Sequence, residues 1–155
     1  MMTFNTKPVS ETEINNRIET ITKRGFINLT EIEALKLTLS MIDLTTLEGA
    51  DTDEKVIAMC QKAFNYNIQN ENIPNVAAVC VYPTLVNVAK TALKGKNINV
   101  AAVAGAFPSG QSPIEVKVAE VIYAVNEGAD EIDMVISRGK FLEGKFEIVF
   151  NEIAE

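Results

Sequence analysis

Two apolar runs, Val76 to Tyr82 and Ile98 to Phe107, constrain this 155-residue chain more than any other feature. Each is continuous or nearly so, the pattern of a strand buried on both faces. The stretch between them has the length of a helix, which Pro83 can open and Gly95 can close. Two buried strands joined by a helix pair in parallel through a right-handed crossover.

The same unit recurs on either side. Ile42 to Leu47 is short and rich in strand formers, and Asp51-Thr52-Asp53-Glu54 then reads as a capping box with Asp51 at the cap. The helix behind it is expected to bury Val56, Ile57, Met59, Cys60, Ala63 and Phe64. Ser112-Pro113-Ile114-Glu115 reads as a second box, with proline at the first helical position and Gly128 at the far end. Glu131 to Ile136 is a fourth strand, and Phe141 to Glu155 an amphipathic helix. Ahead of the first strand, residues 11–24 and 30–41 have helical spacing, with Gly25 between them.

Consecutive β/α units belong either to a doubly wound sheet or to part of a (β/α)8 barrel. A doubly wound nucleotide binder carries a glycine-rich loop after its first strand. Thr45-Thr46-Leu47-Glu48-Gly49 is neither that fingerprint nor a P-loop. The barrel is therefore preferred. A complete one takes about 250 residues, so the expectation is an α/β fold of the TIM-barrel family comprising its first four β/α units. Residues 31–155 would form the N-terminal half-barrel and residues 1–30 a helical extension.

Composition narrows the chemistry. The chain has no histidine, which removes Ser-His-Asp and Cys-His nucleophile pairs, histidine general bases and histidine-containing zinc sites. A net charge of −7 argues against a nucleic-acid partner, and residues 101–155 hold ten of the acids against four bases. No apolar run reaches the ~18 residues of a membrane helix, and Met1-Met2-Thr3-Phe4-Asn5 does not look like a signal peptide. Cys60 and Cys80 lack C-x-x-C partners and read as free thiols, so a reducing, cytoplasmic location is expected.

Asp133 draws attention because it interrupts a strand expected to be buried. Strand parity puts Glu131, Asp133 and Val135 on one side and Ile132, Met134 and Ile136 on the other. The all-apolar side should meet the helices, so Asp133 should point into the barrel. It is either a functional acid or a structural one bonded to backbone or to a buried base. Asp43 is the same kind of residue on the first strand, sharing a parity with Thr45 and Leu47, and is either a functional acid or one that caps a neighbouring backbone turn. Two such acids need a cation. Mg²⁺ or Mn²⁺ would demand more ligands than are visible, and a lysine is the simpler partner. Of the eleven lysines, Lys36, Lys55, Lys62, Lys90, Lys94, Lys117 and Lys145 read as solvated helix stems. Lys140, with Arg138, falls in the loop after the fourth strand, where a surface charge is the plainer reading. Cys80 lies near the same rim but suits a small core residue. Phe107-Pro108-Ser109-Gly110 could line a pocket or simply end a strand.

Four segments together carry a resemblance: IDLTTL at 42–47, VAAVCVYP at 76–83, VAAVAGAFPSG at 100–110 and GADEID at 128–133. In this order and spacing they resemble the deoxyribose-phosphate aldolases, class I enzymes that work through a lysine Schiff base. The resemblance implies a (β/α)8 barrel, no cofactor and no metal. It implies reversible cleavage of 2-deoxy-D-ribose 5-phosphate, a small phosphorylated sugar, to D-glyceraldehyde 3-phosphate and acetaldehyde. It makes Asp133 the acid of a proton relay and Asp43 the acid that supports a second lysine. Thr45, Leu47 and Phe107 match pocket-lining positions, and Cys80 matches a cysteine near the active site but outside the chemistry. The family's Schiff-base lysine and its partner lie on the sixth and seventh strands, and no segment here matches those.

The expected partners are therefore the sugar phosphate and either further copies of the chain or a complementary C-terminal half. The alternative is a catalytically inactive half-barrel serving as an oligomerising or interaction module. A metal-dependent lyase built on Asp43 and Asp133 lacks further ligands.

Overall fold

A computed structural model describes residues 7–25, 28–69 and 72–155. The first residues, read above as lacking a leader, fall outside that range. Two helices come first, α1 (Glu11–Arg24) and α2 (Glu31–Leu39). Each opens with a reciprocal capping box, Ser10 with Glu13 and Thr30 with Glu33. Helix α1 buries none of its residues, and its Ile14, Ile18 and Ile21 stand exposed.

Strands and helices then alternate: β1 (Asp43–Thr45), α3 (Asp53–Gln69), β2 (Ala78–Val81), α4 (Val86–Ala92), β3 (Asn99–Ala104), α5 (Ile114–Asn126) and β4 (Glu131–Met134). A 3₁₀ turn, Pro83–Leu85, leads into α4. All three strand pairings are parallel, and the sheet order is β1-β2-β3-β4. A doubly wound sheet reverses its strand order at a switch point. This sheet never reverses, so it follows the barrel pattern.

Strand periodicity divides the core in two. Val79, Val81, Val100 and Ala102 face outward and pack on Val56, Cys60, Ala63, Val86, Ala89, Leu93 and Ala124 of the helices. Fully burying a valine of this layer contributes about 1.5–3 kcal/mol. Ala78, Cys80, Ala101 and Val103 face the concave side, packed with Leu47, Tyr82 and Phe107.

The elements differ from the sequence expectation in several places, each for a local reason. Helix α3 is capped by Thr52, whose Oγ1 accepts from the Lys55 amide at 3.3 Å. Asp51 is occupied instead in the preceding loop, where it accepts from Thr46 Oγ1, the Glu48 amide and Lys55 Nζ. On α3, Val56, Cys60 and Ala63 are buried, Met59 and Phe64 only partly, and Ile57 is exposed. Pro113 occupies the cap position of α5 and Ser112 does not cap, because the Pro113 carbonyl itself accepts from the Val116 and Lys117 amides.

The expected helix from 141 to 155 is two helices, α6 (Arg138–Leu142) and α7 (Phe146–Ala154). Gly144 breaks it with φ +76°, a left-handed conformation that side chains resist. Phe141 and Phe146 meet edge to face across the break, centroids 5.1 Å apart. Strand β4 is an edge strand and is not buried on both faces: Ile132 is half-buried, while Glu131, Asp133 and Met134 are exposed.

Candidate active site

The strand registers bring the predicted acids onto one surface. Asp43 pairs with Ala78, Thr45 with Cys80, Cys80 with Ala101, Ala101 with Glu131, and Val103 with Asp133. Because Ala78, Cys80, Ala101 and Val103 face the concave side, Asp43, Thr45, Glu131 and Asp133 face it with them. The parity assigned from the sequence therefore holds, although Asp133 is exposed rather than buried.

At the centre, Cys80 Sγ donates to Asp133 Oδ2 at 3.6 Å. The two residues sit on strands separated by β3, and the contact runs diagonally across it, since Cys80 is level with Ala101 and Asp133 with Val103. Thr45 Oγ1 donates to the Asp43 carbonyl at 3.0 Å, and Asn99 holds the Glu131 carboxylate at 2.7 Å. Leu47 and Phe107 close the surface at its upper rim, where Phe107 meets Tyr82 edge to face at 6.4 Å.

The electrostatics follow from this gathering of acids. Burial, then the charges of Glu131 and Asp133, raise the Asp43 carboxyl above its ordinary value. Burial first, and then the charge and hydrogen bond of Asp133, push the Cys80 thiol up to about 12. Cys60, in the outer core, is pushed to about 11 by burial alone. Both cysteines are free, buried thiols. Neither is poised as a nucleophile, since the reactive form is the thiolate.

No ion pair to Asp43 or Asp133 forms among the described residues. Nor do three or more metal-ligating side chains converge among them. The concave face thus gathers carboxylates and a thiol with no paired cation among the described residues. The described residues bring no amine to it by hydrogen bond or ion pair.

Lys140 does not sit in a loop: it lies in α6, 3.6 Å from the Glu143 carboxylate. Lys90 is not a free stem either, because it reaches Asp130, whose carboxylate also accepts from the Val100 amide. Lys117 is the largest correction. It is 4% exposed, with Nζ 2.7 Å from Ser137 Oγ and 3.4 Å from Glu152 Oε2. Helical spacing alone made it a solvent-facing residue, and its partners lie 20 and 35 positions away.

The turns above β3 and β4 are pinned to each other. Arg138 Nη2 donates to the Pro108 carbonyl at 3.2 Å. A Cβ on Gly110 would lie 2.6 Å from the Ile136 carbonyl oxygen, so only glycine fits this approach. Beyond these turns lies a cavity of about 320 Å³ lined by Ser109, Gln111, Ser137, Arg138, Lys140 and Glu152, among others.

Comparison with known proteins agrees with this architecture. The family model for the DeoC/LacD family aldolases matches residues 37–155. Human deoxyribose-phosphate aldolase is 41% identical, over 76% of this chain and 40% of its own length. The mouse deoxyribose-phosphate aldolase gives the same identity and coverage. A Coccidioides immitis protein assigned as a deoxyribose-phosphate aldolase superposes with TM-score 0.69 at 26% identity, over 94% of this chain and 55% of that one. The structure of QR15, an aldolase, superposes with TM-score 0.63 at 29% identity, over 74% of this chain and 47% of its own. The chain spans about two fifths of the length of the curated relatives it matches. With four consecutive parallel β/α units and a matched segment running from α2 through α7, the chain belongs to the DeoC/LacD family of aldolases.

Proposed function

We propose that this chain supplies the N-terminal half of a deoxyribose-phosphate aldolase barrel. Its concave face would be the acid-bearing wall of the active site. The observation that carries the reading is the pairing of Cys80 with Asp133 beside Asp43, a surface of carboxylates with no ion-paired cation of its own among the described residues. Buried or crowded acids of this kind call for an opposing charge. A lysine from the remaining strands of the barrel, on the same polypeptide or another, would provide it.

In this reading that lysine condenses with the carbonyl of 2-deoxy-D-ribose 5-phosphate, losing water, and the protonated imine takes up the electron pair as the C–C bond breaks. The C3 hydroxyl gives up its proton as D-glyceraldehyde 3-phosphate leaves, the enamine left behind is protonated at carbon, and hydrolysis of the resulting imine releases acetaldehyde and the lysine. Asp133 relays protons to and from the reacting carbons. Asp43 supports the second lysine, while Thr45, Leu47 and Phe107 line the pocket. The reaction needs no cofactor or metal. The cytoplasm suits a chain with two free thiols. No helix of the described residues is long and apolar enough to cross a membrane.

Borohydride trapping with deoxyribose 5-phosphate, followed by peptide mapping, tests the proposal. A reduced adduct on a lysine of a complementary half, assembled with this chain, is the expected result. An adduct on one of this chain's own lysines would overturn the assignment of the nucleophile to another segment. No adduct in any assembly would favour an inactive interaction module.

A further inference from the structure

Helix α5 carries two charged residues, one helical turn apart, that reach back towards the barrel rim. Glu120 Oε2 accepts from the Ala106 amide at 2.8 Å. Ala106 has φ +61°, a left-handed conformation that a non-glycine residue keeps only where its surroundings hold it. It directly precedes Phe107, the residue seated against Tyr82 on the concave side. Removing the Glu120 carboxylate therefore frees the turn that aims Phe107.

Lys117 does the equivalent for the next strand. Its ammonium donates to Ser137 Oγ at 2.7 Å, and Ser137 Oγ in turn donates to Glu152 Oε1 at 3.0 Å. Ser137 follows β4 by three residues and Asp133 by four. Since β4 pairs, among the described residues, only with β3, its exit is fixed on one side by that ladder and beyond it by Ser137. A buried ion pair is weak as a source of stability compared with apolar packing, and its better-attested use is to set a register.

We propose that Lys117 and Glu120 are positioning residues. Glu120 sets Phe107 through the Ala106 turn, and Lys117 sets Asp133 through Ser137, so one helix places both walls of the pocket. The inference rests on the aldolase reading only for its catalytic consequence. The geometry can be tested without turnover.

Two readouts in the full chain separate positioning from general loosening. Glu120→Ala should speed amide exchange at Ala106 about tenfold or more, as for a lost hydrogen bond to a charged group. Glu120→Gln, which keeps an acceptor, should restore most of the protection. Wild-type exchange in Glu120→Ala, or no rescue by Gln, overturns the Glu120 half. For Lys117, the rate of Cys80 alkylation reports the Asp133 contact, and Cys60 in the outer core serves as the internal control. Lys117→Met, and the milder Ser137→Ala, should raise Cys80 reactivity several-fold and leave Cys60 unchanged. Equal rises at both thiols, or no rise at Cys80 in either variant, overturn the Lys117 half. Borohydride trapping reports on the aldolase reading separately, so failure of one is not mistaken for failure of the other.

Discussion

The thiol of Cys80 reaches the carboxylate of Asp133 at 3.6 Å although the two are 53 residues apart and their strands are not neighbours. The contact crosses β3 diagonally, from the level of Ala101 to that of Val103, on the face that all four strands share. The contact makes Cys80 a reporter of Asp133, and the first expected outcome follows from it.

Asp133→Asn removes both the charge and the charge-assisted bond that oppose thiolate formation at Cys80. The thiol, held up at about 12, should ionise at lower pH, yet stay above its ordinary 9.0 because burial is the larger cause. The pH dependence of Cys80 alkylation checks this. In an assembled aldolase the same substitution should lower turnover by about 10²–10⁴-fold if Asp133 relays protons. Unchanged turnover would remove it from the relay.

Asp43 gives a prediction in pH. Its folded-state carboxyl is raised from 3.8, so the native state holds a proton more tightly than the unfolded chain does. Its contribution is most favourable at low pH and declines as pH rises through the raised value. Asp43→Asn should therefore stabilise the fold at neutral pH, and the gain should disappear near and below pH 3.8. Urea unfolding of both proteins at neutral and acidic pH decides it.

Glycines 110 and 144 share a positive φ but not an environment. A Cβ at Gly144 meets nothing within 4 Å, whereas one at Gly110 would sit 2.6 Å from the Ile136 carbonyl oxygen. Gly144→Ala should cost about 1 kcal/mol of backbone strain. Gly110→Ala should cost about 1–3 kcal/mol more, as the turns above β3 and β4 separate. Thermal melting of the two variants compares them directly.

Val100 is fully buried between β3 and the helices. Val100→Ala deletes two methyl groups there and should cost about 2–3 kcal/mol, seen as a lower urea midpoint with an unchanged slope.

The alternation of strands and helices was legible because buried parallel strands read as apolar runs, and Val76 to Tyr82 and Ile98 to Phe107 both contain one. The direction of Asp133 was legible from parity alone. Its exposure was not, since the expectation of burial assumed a neighbour on the free side of β4. Lys117 was missed because a lysine in a helix is ordinarily a solvated stem, and the partners that bury it come from the β4–α6 turn and α7. Asp51 was misread as a cap because the sequence cannot show that Thr46, Glu48 and Lys55 already occupy its oxygens. The roles expected of Thr45, Leu47 and Phe107 still rest on position along the rim, and trapping experiments are their test.

Among the described residues, strands β1 and β4 each leave one edge of the sheet unpaired, at opposite ends of the sheet. In the proposed barrel such a chain would be bivalent: the remaining strands would meet two seams at once, and once the first had zipped, the second would close as an intramolecular event at a high effective concentration. Closure should therefore be all-or-none, and a substitution at either edge should weaken assembly as a whole rather than one seam alone.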